Sequence, residues 1–156
     1  MNIEDFTVRE ETIDTQPYIY ARRIGAYGYE NRALMERLKS WAAENGLMND
    51  ETVILGIARD DPSGTPPDLY RYDVCMPGEY NTHENWIKKG IFEESGSYVV
   101  IEMPHTTEVI QLVWKEAFSY LISKGYTLDK NRPVIERYRK ALVDKHRCEM
   151  MFPVKS

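Results

Sequence analysis

The stretch RYDVCMP at 71–77 returns as RCEMMFP at 147–153, and this repetition constrains the fold more than any other feature of the chain. Arg lies over Arg, Asp73 over Glu149 and Pro77 over Pro153; upstream, Tyr18 falls over Tyr98 and Gly46 over Gly125. The elements around these positions recur in the same order. A strand at 17–25 (PYIYARRIG) leads into a helix at 31–44, whose apolar residues Leu34, Met35, Leu38, Trp41 and Ala42 have helical spacing. Gly46 is a natural stop for that helix. Two strands follow, at 51–59 and 69–76, across the turn-rich DDPSGTPPD. The second copy reads strand 96–104, helix 108–124 with the stripe Val109, Leu112, Val113, Ala117, Tyr120 and Leu121, and closing strands at 133–139 and 146–154.

One such unit has too little core to stand alone, whereas two side by side bury both helices against a joined sheet. The expected fold is therefore α+β. It is a duplicated β-α-β-β unit with pseudo-two-fold symmetry, with both helices on one face of an antiparallel sheet and a ligand groove on the other. The expected organisation is a single domain over 1–156, with repeat 1 at about 1–77, a linker at about 78–95 and repeat 2 at about 96–156. That linker carries Tyr80, Trp86 and Phe92, and either crosses the groove's mouth or covers an edge strand.

Alternation along the strands sorts residues by face. In the first strand Tyr18, Tyr20 and Arg22 oppose Ile19 and Ala21; in its partner Tyr98, Val100 and Glu102 oppose Val99, Ile101 and Met103. In PVIERYR, Val134, Glu136 and Tyr138 oppose Ile135 and Arg137. The aliphatic sets are expected to meet the helices. The tyrosine-bearing sets, together with Glu136 and Tyr138, are expected to line the groove. Ring faces and a carboxylate suit flat lipophilic cations, and Glu136 in such a place has its pKa raised by burial and lowered again by a bound cation. A solvated sheet face shows the same alternation, so the pattern alone does not separate the two readings. Trp41 and Trp114 fall in apolar stripes and are expected in the core; Trp86 is the tryptophan whose place is open.

With 25 acidic against 20 basic residues the net charge is −5, which argues against direct nucleic-acid binding through phosphate contacts. No apolar run reaches the ~18–20 residues of a membrane span, and the acidic N-terminus shows no secretory signal. Cys75 and Cys148 make neither a disulfide framework nor a metal motif, and are expected as buried small hydrophobes. The chain reads as cytoplasmic. His83, His105 and His146 have no ligand spacing, and no nucleophile elbow, phosphate loop or dinucleotide fingerprint occurs; no metal and no cofactor is expected.

DDPSGTPPDLYRYDVCMP at 60–77 resembles the signature of the GyrI-like small-molecule-binding family. Asp60 or Asp61 with Pro62, Thr65, Pro66, Leu69, Arg71 or Tyr72, and Asp73 stand in its places. RPVIERY is similar to the family's P-x-h-E-x-Y element, with Pro133, Glu136 and Tyr138 in the named positions, and CEMMFPVK is similar to its closing strand. The resemblance spans nearly the whole chain. It implies the duplicated fold above, a ligand between the repeats, and Glu136 as the contact for cationic, lipophilic ligands. Tyr18, Tyr20, Tyr98, Glu102, Tyr138 and Trp86 complete the expected ligand set. The family includes the gyrase inhibitory protein, effector-binding modules of AraC-type and MerR-type regulators, and hydrolytic members. For a hydrolase that opens cyclopropane-type electrophiles, the resemblance implies Glu136 as base and Tyr138 as donor. MPHTTE at 103–108 departs from the pattern, with His105 where a glycine is often seen. The two repeats leave no room for a helix-turn-helix, so a regulatory role is expected to run through a partner. The favoured expectation is a stand-alone binding protein, with hydrolysis and a protein partner such as DNA gyrase as alternatives.

Overall fold

The computed structural model describes residues 2–156. In chain order the elements are β1 (Thr7–Ile13), β2 (Gln16–Ile24), α1 (Tyr29–Glu44), β3 (Val53–Ala58), β4 (Arg71–Pro77), β5 (Lys88–Phe92), β6 (Gly96–Pro104), α2 (Thr107–Ser123), β7 (Ile135–Arg139), the short α3 (Lys140–Val143) and β8 (Arg147–Pro153). The strands form one antiparallel sheet in the order β1-β6-β8-β7-β3-β4-β2-β5. Every element expected from the repeat is present, and the class is α+β. Two edge strands, the short α3 and two 3-10 turns, Ile3–Asp5 and Pro67–Leu69, are additional.

The edge strands cross over. β1 precedes β2 in the chain but pairs with β6, and β5 precedes β6 but pairs with β2. The segment expected as a linker thus contains a strand that covers the free edge of β2. Each unit's leading strand pairs with the other unit's edge, so the sheet's free edges become the charged strands β1 and β5.

The register locates the pseudo-two-fold axis. Ile57 pairs with Asp73 and Arg137 with Glu149. Since Asp73 and Glu149 correspond, Ile57 corresponds to Arg137, and Gly56 to Glu136. Gly56 and Glu136 also face each other directly across the β3–β7 seam. The axis runs between them.

Both helices lie on one face. Met35, Leu38, Trp41 and Ala42 of α1 pack on Ile19, Ala21, Val74 and Met76. Val109, Val113, Ala117 and Leu121 of α2 pack on Val99, Ile101, Met103, Met150 and Phe152. The two helices end alike. Gly46 and Gly125 take φ of +70° and +91°, and the next residue reaches back, Leu47 N–H to the Ala42 carbonyl at 2.8 Å and Tyr126 N–H to that of Leu121 at 3.1 Å. At the start of α2 the Thr106 hydroxyl accepts from the Val109 amide at 3.2 Å. Trp41 and both cysteines are buried as expected. Trp114 is not: it is 37 % exposed, edge-on to Phe152 at 6.4 Å, because it sits one step outside the Val113–Ala117 seam of α2.

The assignment of faces needs a correction. Ile19, Ala21, Val99, Ile101 and Met103 do meet the helices, but so do Val134 and Tyr138 of the seam. Glu136 and Tyr138 therefore point to the helix side, opposite to Tyr18 and Tyr98. Those two belong to a third buried cluster with Leu55, Cys75, Phe92, Ile135 and Met151. The helix-free face thus buries an apolar cluster of its own, and Ile135, which the expectation set toward the helices, is part of it.

Candidate functional site

α1 packs over β2 and β4, and α2 over β6 and β8, so the central β3–β7 seam is left open between the helices. The opening is a cleft of about 460 Å³, lined by α1, α2, β7 and Tyr72 of β4. That volume is in the range of small-molecule sites. Glu136 and Tyr138 form its floor.

Glu136 is partly buried, and among the described residues the one hydrogen bond to its side chain is from the Tyr138 hydroxyl, 2.6 Å from Oε2. Burial raises its pKa above the ordinary carboxylate value, and the Tyr138 hydrogen bond offsets only part of this. Tyr138 in turn is held protonated, first by burial and then by the negative charge beside it. Among the described residues no cation pairs with Glu136.

The other two buried carboxylates are quite different. Asp73, fully buried, receives Arg22 Nε and Nη2 at 2.7 and 2.9 Å and Arg59 Nε at 2.5 Å. Glu149, also fully buried, receives Arg137 Nε and Nη2 at 2.9 and 3.1 Å, Arg139 Nε at 2.8 Å, and Arg9. Burial alone pushes Glu149 up, but the arginines outweigh it and bring its pKa to about 2. These carboxylates are structural. Glu136 lies on the other face of the sheet, partly buried, and has no counter-charge among the described residues.

Gly56 makes room for a second tyrosine. A Cβ at this position would lie 2.3 Å from the Tyr72 hydroxyl oxygen and 3.2 Å from Met35 Cε. Tyr72 thus lies over Gly56 beside Glu136; burial and that neighbouring charge raise its pKa. At the α2 end the His105 ring lies 5.3 Å from that of Tyr138. Burial, then the charges of Lys39 and Arg32, lower the His105 pKa and keep the imidazole neutral near pH 7. On the α1 side Lys39 Nζ stands 5.7 Å from the Tyr138 ring centroid.

Of the residues expected at the site, only Glu136 and Tyr138 meet in the cleft. Tyr18 and Tyr20 stack on each other at 5.1 Å on the far face. Tyr98 is fully buried there, donating to the Glu94 carbonyl at 2.5 Å, with Arg132 4.8 Å above its ring. Glu102 is held on that face by Arg147 at 2.8 Å. Trp86 does not cover the cleft: Arg37, on the side of α1 turned away from Met35 and Lys39, lies 4.0 Å from its ring centre. A tyrosine on a strand is as good a core residue as a ligand contact once its hydroxyl finds a partner. The expectation missed Tyr72, Lys39, Arg32 and His105 as cleft residues. One signal was legible: Gly56 inside the strand VILGIA, where a missing side chain marks a close approach.

A family model described as the GyrI-like small molecule binding domain matches residues 6–155. The chain belongs to this family. Among relatives of this GyrI-like protein, the SPbeta prophage-derived candidate transcriptional regulator YosT of Bacillus subtilis (strain 168) is 36 % identical over 149 residues, covering 92 % of this chain and 97 % of YosT. Among solved structures, EcmrR in a DNA complex matches with a TM-score of 0.72 at 12 % identity over 97 % of this chain, which spans 58 % of that one. The EcmrR C-terminal domain alone gives a TM-score of 0.69 at 12 % identity, covering 97 % of this chain and 98 % of that domain. SAV2435 bound to tetraphenylphosphonium gives 0.61 at 15 % identity, covering 96 % and 94 % of the two chains. At these identities the structures establish a common fold. Among the described residues no helix is long and apolar enough to cross a membrane.

Proposed function

We propose that this GyrI-like protein senses or sequesters lipophilic cations in the interhelical cleft, with Glu136 as the counter-charge and the rings of Tyr138 and Tyr72 as walls. The observation that carries this reading is the solitary carboxylate. Leaving an ionised group partly buried and unpaired is costly, and a cationic ligand removes that cost when it binds. The tetraphenylphosphonium held by SAV2435 on the same fold supports the ligand class, and the candidate regulator YosT and the DNA-bound EcmrR support a sensing role.

The test is isothermal titration with tetraphenylphosphonium against wild type and Glu136→Gln. The variant should bind about tenfold more weakly, about 1.4 kcal/mol. Affinity for the wild type should rise with pH through the elevated pKa of Glu136, because only the ionised form attracts the cation. Equal binding by the two proteins, or none, removes Glu136 from this role and turns the search to protein partners such as DNA gyrase.

One observation favours a second reading. A carboxylate of raised basicity, with a tyrosine hydroxyl 2.6 Å away, has the composition of a general base and a proton donor. In this reading Glu136 activates water against a cyclopropane-type electrophile. Turnover that Glu136→Gln abolishes while binding persists would establish it, and intact substrate after long incubation would end it.

A further inference from the structure

The cleft has an acidic floor, and its α1 rim carries Arg32, Glu36 and Lys39, one net positive charge. Arg32 and Lys39 line it from α1, about two turns of helix apart. Arg32 is exposed and makes no ion pair or side-chain hydrogen bond among the described residues. Lys39 is only loosely engaged by Glu36, at 3.6 Å, and leans over the Tyr138 ring at 5.7 Å. Both charges are felt across the cleft at His105, on the α2 side. A site meant for simple cations gains nothing from two cations at its mouth. Like charges at the rim weaken the entry of a cation, whereas an anionic group on the same ligand is drawn to them. The floor offers the opposite: Glu136 has no cationic partner. Among the described residues Glu136 on the floor and Arg32 on the rim are charges of opposite sign without an ionic partner, and together they describe the complement of a dipolar molecule.

We propose that the cleft selects zwitterionic ligands, with an apolar cationic head against Glu136, Tyr138 and Tyr72 and an anionic tail at Arg32 and Lys39. The proposal rests on the cation-binding reading above and narrows it, making Arg32 and Lys39 the residues that set specificity. The preference follows from where charge is left unmatched: among the described residues Glu136 makes no ion pair with Arg32 or Lys39 and its side chain accepts only from Tyr138, so a bridging ligand satisfies both.

The experiment compares two phosphonium salts with the same triphenyl head, one with a pentyl chain and the other with a 4-carboxybutyl chain, by calorimetric titration at neutral pH. Wild type should bind the carboxybutyl compound about tenfold more tightly than the pentyl compound. In Arg32→Ala/Lys39→Ala the carboxybutyl compound should lose about tenfold, while the pentyl compound binds as well or better, since two repelling charges are gone. Glu136→Gln should weaken both. A double variant that shifts both compounds alike, or neither, overturns the proposal. So does a wild type that binds the pentyl compound and rejects the carboxybutyl one, with Glu136→Gln still weakening the former; in that case cation binding stands and the zwitterion preference falls. If neither compound binds wild type, both readings fall together.

Discussion

On the helix-free face the two repeats have kept the same device, and at the axis they have not. Asp73 and Glu149 correspond, both are buried, and each is held by arginines that include the corresponding pair Arg59 and Arg139. The symmetry is imperfect in a way that is easy to follow. Arg22, which bonds Asp73, corresponds to Glu102, so repeat 2 lacks a cation on that strand. Arg9, arriving on the crossed-over β1, and Arg137 supply it instead. At the axis Gly56 faces Glu136. Two glutamates there would stand opposite each other in a half-buried cleft, and one would hold its proton against the charge of the other. Glycine on one side leaves a single carboxylate and makes space for Tyr72. A duplicated charge with duplicated partners is scaffold. An unmatched charge at the one place where the two copies must meet is the better candidate for recognition.

Breaking the scaffold should have the largest effect. Glu149→Gln leaves Arg9, Arg137 and Arg139 with the part-exposed Glu11 as the carboxylate they share, and loss of the buried partner of such a cluster costs about 3–5 kcal/mol. Urea unfolding should show this as a lower midpoint with an unchanged slope. Gly56→Ala comes next. Its Cβ would lie 2.3 Å from the Tyr72 hydroxyl oxygen, and displacing that ring should cost about 1–3 kcal/mol and weaken ligand binding as well, which unfolding and titration of the same sample would report.

The pH dependence sharpens the comparison because the two carboxylates act in opposite senses. The folded-state pKa of Glu149 is depressed to about 2. Its contribution is complete above the unfolded value near 4.5 and is lost as pH falls toward 2. Glu136 is raised, so folding favours its protonated form. Stability is greatest below the unfolded value and declines as pH rises through the folded one. Glu136→Gln should therefore flatten the decline on the alkaline side of the profile and leave the acid limb untouched, as stability curves over pH 2–8 measured in ~1-unit steps would show.

Most of the architecture was open to reading because a duplication prints its order of elements twice: positions such as Gly46 and Gly125, which end the helices, confirm each other. The crossed edge strands were not. TVREETI carries three consecutive charges and KKGIF begins with two lysines, and edge strands keep such residues because one side of them faces water. Glu136 and Tyr138 were legible from the element they share. Their surroundings were not, since alternation divides a strand into two sets without saying which set meets the helices. The tyrosines misled because the far face hides its charge. Arg137 is only 5 % exposed, with Glu11 and Glu149 taking its guanidinium donors, so a strand position that reads as solvated is dry. Lys39 and Arg32 lie on the polar side of a helix, where nothing in the sequence distinguishes a rim from an ordinary surface.

The smallest expected effect tests that division of faces most directly. Tyr20→Phe keeps the ring that stacks on Tyr18 at 5.1 Å and removes only the hydroxyl. Glu102→Gln keeps the shape of the group that accepts from Arg147 at 2.8 Å and removes only the charge. Both lie on the side of the sheet away from the cleft, so tetraphenylphosphonium should bind each variant within about twofold of wild type, less than ~0.5 kcal/mol. If either weakens binding as much as Glu136→Gln, the ligand lies on the helix-free face. The missing counter-charge at Glu136 would then be a cost the fold tolerates at its axis, and the cleft between the helices would have to be explained without a cation.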